Sequence, residues 1–166
     1  MRTELALRLA TPADAPEIAL MSRDTIEQGL PWSWRPQRVA RAIRDANTNV
    51  VVAGPPGALA GFGIMSYLDT DAHLLLLAVH PLCRREGLGS AILEWLEDVA
   101  RTAGARRIRV EARRDNVAAR TFYNEHAYHE RAIRAAMYSG LADGVRMEKW
   151  LRVDDDDLPP AGVLLP

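Results

Sequence analysis

Between the apolar run Leu74–Val79 and a helical pattern that starts near Gly87 lies the turn Arg84-Arg85-Glu86-Gly87-Leu88-Gly89-Ser90. A glycine-containing turn that opens a helix presents free backbone N–H groups at the positive end of the helix dipole, which makes it an anion site suited to a pyrophosphate. Arg84 and Arg85 add charge. A Rossmann turn would carry glycine or alanine three residues after Gly89, where Ile92 stands, and a P-loop would end in Gly-Lys-Ser/Thr, which is absent. A glycine-rich turn without a ligand is the plain alternative.

Asn116 and Tyr123 stand seven residues apart, two helical turns, and so share one helix face that fits a single extended ligand. Asn116 is equally placed to be a helix N-cap, and Tyr123 to be a core tyrosine with a satisfied hydroxyl. Two residues compete as a proton acceptor. Glu111 alternates with Val110 and Ala112 and therefore faces polar space, where Arg109 or Arg113 offers an ion pair. His73 carries a ring that ordinarily titrates near neutrality, but it also reads as a strand-end residue. Cys83 lies near His80 in the loop before the phosphate turn, a poor place for a thiol nucleophile.

The elements that must position these residues follow from periodicity. Leu5, Leu7 and Leu9 alternate as a first strand, and Thr11-Pro12 starts a helix running to about Gln28. Trp32 and Trp34 fall in the short connection Leu30–Pro36, ahead of a second helix from Pro36 to Ala46. Val50–Ala53 and Leu59–Leu68 form a hairpin around Gly54-Pro55-Pro56-Gly57. Leu74–His80 is apolar on both faces, the pattern of a central strand covered on each side. Leu88, Ile92, Trp95, Val99 and Ala103 make a helical stripe that Gly104 ends, and the alternating Arg107–Ala112 completes a parallel strand-helix-strand crossover. A helix over Asn116–His126 and strands over Tyr128–Met137 and Val145–Arg152 close the chain. The whole predicts an α/β fold with a mixed sheet and helices on both faces.

At 166 residues the chain suits one domain over 1–153, followed by a loose tail over 154–166 that joins four aspartates to a proline-rich end. A net charge of -1 lacks the basic excess of a nucleic-acid binder, and the single cysteine favours a reducing compartment. Without zinc-ligand spacing, a signal-like start or an apolar stretch able to span a bilayer, no metal and no membrane partner is expected. The protein reads as cytoplasmic, monomer or homodimer.

Arg84-x-x-Gly87-x-Gly89 after Leu77-Ala78-Val79-x-Pro81, followed by Asn116 and Tyr123, resembles the GNAT family of N-acetyltransferases over about Leu59–Tyr128. The resemblance implies the GNAT fold, a mostly antiparallel sheet with one parallel crossover, and acetyl-coenzyme A as cosubstrate. It implies that Leu77, Ala78 and Val79 pair with the pantetheine arm, one backbone N–H polarising the thioester carbonyl. Residues Arg85 through Ser90 would bind the pyrophosphate through their amides, and Asn116 would add a polar contact. Tyr123 would protonate the departing thiolate, a reasonable step because a thiol near pKa 8.5 leaves as an anion and a phenol near 10 sits close enough to donate. Glu111 matches the base of the ribosomal-protein N-terminal alanine acetyltransferases, whose look is shared by Pro31-Trp32-Ser33 and by Ile133-Arg134 leading to Tyr138. His73 matches the base position of histone-type members, and Glu111 is the preferred reading.

The acceptor implied is a primary amine: a peptide or protein N-terminus, a lysine or a small-molecule amine. Trp32 and Trp34 read first as core or loop anchors, and with Tyr138 and the loop Ser139–Gly144 they are also the acceptor-side candidates. Two rivals stand beside direct transfer: an acyl-coenzyme A sensor or scaffold without turnover, which retention of Tyr123 disfavours, and a plain nucleotide-binding domain. The family usually has glycine and phenylalanine where this chain has Ala127 and Tyr128. Alanine resists the left-handed conformation that glycine provides at a helix end.

Overall fold

A computed structural model describes residues 6–138, 140 and 142–151, with the side chains of 134 and 136–138 excepted. The acidic tail expected from Asp154 lies outside the described residues. Seven strands form one sheet in the order β1-β2-β3-β4-β5-β7-β6: β1 (Leu7–Leu9), β2 (Thr48–Ala53), β3 (Gly61–Leu68), β4 (Asp71–Val79), β5 (Arg107–Arg113), β6 (His129–Tyr138) and β7 (Ala142–Trp150). Only β4 and β5 run parallel, so the sheet is mixed and mostly antiparallel as the sequence predicts. The helices are α1 (Ala15–Thr25), α2 (Pro36–Arg44), α3 (Leu88–Thr102) and α4 (Val117–Glu125). Among the described residues no helix is long and apolar enough to cross a membrane.

The central strand β4 separates two cores. Ala72 and Leu74 belong to the core formed with α3 and Tyr123, while Leu76 and Ala78 belong to the core formed with α1 and α2. The change of face comes from a bulge: Ile64 pairs with Leu76 and the next residue, Met65, pairs with Leu74, leaving Leu75 without a partner on β3. α3 lies close over β3 because Gly61 and Gly63 carry no side chain. A Cβ at Gly63 would stand 2.7 Å from Leu96 Cδ1, and one at Gly61 only 2.9 Å from the Ala78 carbonyl oxygen.

Several boundaries differ from the sequence expectation. A single 3-10 turn, Pro12–Asp14, precedes α1, and α1 stops at Thr25 rather than Gln28. β7 begins at Ala142, which shortens the expected loop Ser139–Gly144, of which Ser139 and Leu141 lie outside the described residues. On α3 the buried stripe is Ile92, Leu93, Leu96 and Ala100, while Leu88 and Trp95 lie at its margin. The helix is rotated from the expected stripe because it also buries Glu97, which receives hydrogen bonds from the Tyr128 hydroxyl at 2.9 Å and Lys149 Nζ at 2.9 Å.

Ala127 closes α4 at φ +67°, the left-handed conformation in which a Cβ is strained. Ala127→Gly should therefore stabilise the protein. Removing a strain of roughly 1–2 kcal/mol outweighs the roughly 0.4–1 kcal/mol of extra chain entropy that glycine brings to the unfolded state. A rise in melting temperature of about 1 to 3 °C is expected by calorimetry, and a fall would contradict this account.

Candidate functional site

Parallel pairing of β4 with β5 is confined to Asp71–Leu74 against Arg107–Val110. Beyond Leu74 the strands part, yet β4 continues to Val79 and β5 stays paired with β7 as far as Arg113. Between them opens a cleft of about 730 Å³. One wall is the β4 edge from Leu74 to Val79, the other β5 from Val110 to Arg113 with α4, and the start of α3 forms one end. The β4 backbone facing β5 beyond Leu74 is therefore presented to whatever enters the cleft.

Residues from the turn reach the cleft as a group: Arg84, Arg85, Gly87, Leu88, Gly89 and Ser90 all line it. Glu86 is exposed and does not line it. Gly87 is the N-cap of α3 at φ +79°, a conformation open to glycine, and the Arg85 backbone is also left-handed. The first bond inside the helix runs from Ala91 N–H to the Gly87 carbonyl, so the N–H groups of Leu88, Gly89 and Ser90 have no partner within α3. Ser90 is held from behind by His126. The Phe122 carbonyl can only accept, so His126 Nδ1 donates to it at 2.8 Å, and in the neutral ring Nε2 accepts from the Ser90 hydroxyl at 2.9 Å.

Asn116 caps α4, its side chain accepting from the Ala119 N–H at 3.1 Å, and it also lines the cleft. Its hydrogen bond is the one the N-cap reading predicts. Tyr123, two turns on, is 6% exposed and lines the same wall, its ring edge-on to Phe122 and Tyr128. Tyr128 is buried deeper, and burial followed by the Glu97 charge pushes its phenol well above the ordinary value.

The two rivals for proton acceptor are partners. His73 Nε2 and Glu111 Oε2 make a short hydrogen bond across the β4–β5 pair. The Glu111 side chain is 13% exposed and lines the cleft, whereas the His73 side chain is 32% exposed and lies behind it. Burial pushes the Glu111 carboxyl up. The hydrogen bond and charge of His73, with Arg109 and Arg146 nearby, together outweigh burial and hold it below the ordinary carboxylate value. Arg113 donates to the carbonyls of Ile26 and Gln28 at 3.1 and 2.6 Å and ties the segment after α1 to β5.

The α1–α2 connection is organised by Glu27, which accepts from the Ser33 N–H and hydroxyl, both at 2.8 Å. Trp34 is buried in the α1–α2 core, and Trp32 donates from Nε1 to the Ala19 carbonyl at 3.2 Å with the Arg35 guanidinium over its ring. Neither tryptophan lines the cleft; Ile26 and Gln28, from the same connection, do. The side chain of Tyr138 lies outside the described residues. Sequence reasoning missed Phe122, whose ring would lie 3.5 Å from a Cβ placed at Gly89, and the support that His126 gives Ser90.

Residues 17–128 match the acetyltransferase (GNAT) family. The chain belongs to that family. The GNAT enzyme of Escherichia coli K12 that acetylates the alanine of ribosomal protein bS18 is 35% identical over 94 residues, 55% of this chain and 64% of that enzyme. The match thus spans just under two-thirds of that relative's length. The crystal structure of the ribosomal-protein-S18-alanine N-acetyltransferase from Escherichia coli superposes with a TM-score of 0.78 at 25% identity, covering 93% of this chain and 99% of that one. An acetyltransferase of Salmonella typhimurium, solved with its cofactor acetyl-CoA, gives a TM-score of 0.76 at 19% identity over 96% of this chain and 99% of that one, a likeness of GNAT fold.

Proposed function

We propose that this protein transfers acetyl from acetyl-coenzyme A to a primary amine, in the first place the α-amine of a peptide or protein N-terminus. The observation that carries the reading is the parting of β4 from β5 beneath the start of α3, with Glu111 and Tyr123 on one cleft. The family supports acetyl transfer, and the bS18 relatives support a protein N-terminus.

The cleft fits the cosubstrate on its own features. An anion meets three N–H groups at the helix start together with Arg84 and Arg85, and an extended arm meets the β4 backbone over Leu77–Val79. When bound, acetyl-coenzyme A supplies a thioester whose carbonyl carbon is open to attack. The amine must lose a proton to attack it, and the His73–Glu111 pair takes up that proton as an imidazolium beside a carboxylate. Tyr123, on the cleft wall, gives its proton to the sulfur as the carbon–sulfur bond breaks, and the second proton, shed by the nitrogen as it becomes an amide, restores the phenol. No enzyme residue becomes acetylated.

Acetyl-coenzyme A at about a hundred times its dissociation constant should raise the melting temperature by about 5 to 10 °C, and adenine nucleotides should do less. A Cβ at Gly89 would find the Phe122 ring at 3.5 Å and Val79 Cγ2 at 3.6 Å, ordinary contacts, so Gly89→Trp is expected to fold with its indole in the phosphate end of the cleft. The shift should vanish in that variant. Equal stabilisation of wild type and Gly89→Trp would place the cofactor elsewhere, and a screen of peptides with thiol release as readout tests the transfer itself.

A further inference from the structure

The face of β5 and β7 that carries Glu111 is rich in guanidinium groups. Arg107, Arg109, Arg131 and Arg146 share it with the carboxylates of Asp71 and Glu148, while Glu111 is taken by His73. Glu148 serves three of these arginines at once, at 3.4, 3.8 and 3.1 Å, and Asp71 serves Arg107 at 2.6 Å. Among the described residues cations are in surplus on this face. The Nε atoms of Arg109 and Arg146 are buried and have no hydrogen-bond partner among the described residues, although buried donors are ordinarily satisfied. The helices on this side, α1 and α2, pack over β4 and β2, and among the described residues the Arg131 and Arg146 side chains stay 47% and 29% exposed.

These two arginines stand at defined places relative to the proton acceptor. Arg146 is the register partner of Glu111 on β7, and Arg109 is two residues before Glu111 on β5. Neighbouring strands lie about 4.8 Å apart and two residues along a strand advance about 6.7 Å. An extended peptide with its amine at Glu111 reaches these guanidiniums with the side chain of its second or third residue, because each residue advances roughly 3.3 Å.

We propose that Arg109 and Arg146 select the acceptor, and that the preferred substrate is a peptide whose α-amine is followed at the second or third position by Asp or Glu. The inference rests on the acetyl-transfer reading above and adds the class of acceptor. An acidic side chain engages the guanidiniums of Arg109 and Arg146 through charge-assisted hydrogen bonds, and a lysine in the same place meets their repulsion. Free amino acids hold their carboxylate too close to the amine to bridge the same span, which separates the two sources of a carboxylate.

The test compares kcat/KM at saturating acetyl-coenzyme A for peptides beginning Ala-Glu, Ala-Gln and Ala-Lys, with free glutamate as a fourth acceptor. Wild type should favour Ala-Glu over Ala-Gln by about tenfold, with Ala-Lys and free glutamate lower still. The ratio should collapse toward one in Arg109→Gln and Arg146→Gln, survive in part in Arg109→Lys, and turn toward Ala-Lys in Arg109→Glu. The melting shift with acetyl-coenzyme A certifies that each variant is folded. Equal rates for Ala-Glu and Ala-Gln in wild type, a preference that survives both glutamine variants, or free glutamate matching the best peptide would overturn the assignment while leaving acetyl transfer standing. Acetylation of none of the peptides would overturn the transfer reading and the acceptor class together.

Discussion

Tyr123→Phe should lower turnover by about a hundred- to a thousandfold while leaving the acetyl-coenzyme A melting shift nearly intact. The substitution removes one oxygen from a ring that is 6% exposed and packed edge-on against Phe122 and Tyr128, so the apolar contacts that hold the wall of the cleft persist. What disappears is a proton at the cleft surface. A thiol with an ordinary pKa near 8.5 is a fair leaving group even as an anion, so the hydroxyl stabilises chiefly the state in which the carbon–sulfur bond is breaking. An interaction confined to that state appears in kcat and hardly in binding. Single-turnover rates at saturating acceptor measure the step directly, and a rate equal to wild type would remove Tyr123 from the chemistry.

The parts of this site that were legible in the sequence are those carried by one continuous stretch. The turn from β4 into α3 announces itself through Gly87 and Gly89, and Asn116 and Tyr123 share a face because helical spacing is fixed. Contacts between distant stretches were not legible. His73 and Glu111 are 38 residues apart, and their meeting depends on the register that sets His73 opposite Arg109. Periodicity gives each strand its two faces but not its offset from a neighbour.

The bulge at Leu75 is hidden for a different reason. Four consecutive leucines, Leu74 to Leu77, carry no alternation whose interruption could mark a change of face. On α3 the expected stripe runs through Trp95, which is large and apolar, while Glu97, which is buried, carries no apolar signal in the sequence. A buried glutamate is intelligible only once Tyr128 and Lys149, from after α4 and from β7, are seen to meet it.

His73→Gln should abolish the acidic limb of the pH–rate profile near neutrality, and Glu111→Gln should lower the rate by about ten- to a hundredfold without restoring it elsewhere. The family resemblance favours Glu111 as the base. The structure changes the argument, because a carboxyl held below its ordinary value of about 4.3 is ionised throughout the range from pH 6 to 9 and cannot supply a titration there. Imidazole is the side chain whose charge ordinarily changes in that range. Two groups joined by a hydrogen bond take up protons as a pair. In His73→Gln the hydrogen bond and charge that lower Glu111 are gone while burial remains, so its carboxyl should move upward, yet any limb it then produces falls on the acid side of the wild-type one. Groups that act as a unit give non-additive losses, so the double variant should be about as slow as the slower single one. Profiles from pH 6 to 9 with an active peptide decide the matter. A wild-type limb in His73→Gln would return the role to Glu111 alone, and a double variant slowed by the product of the two single losses would show that the two residues work independently.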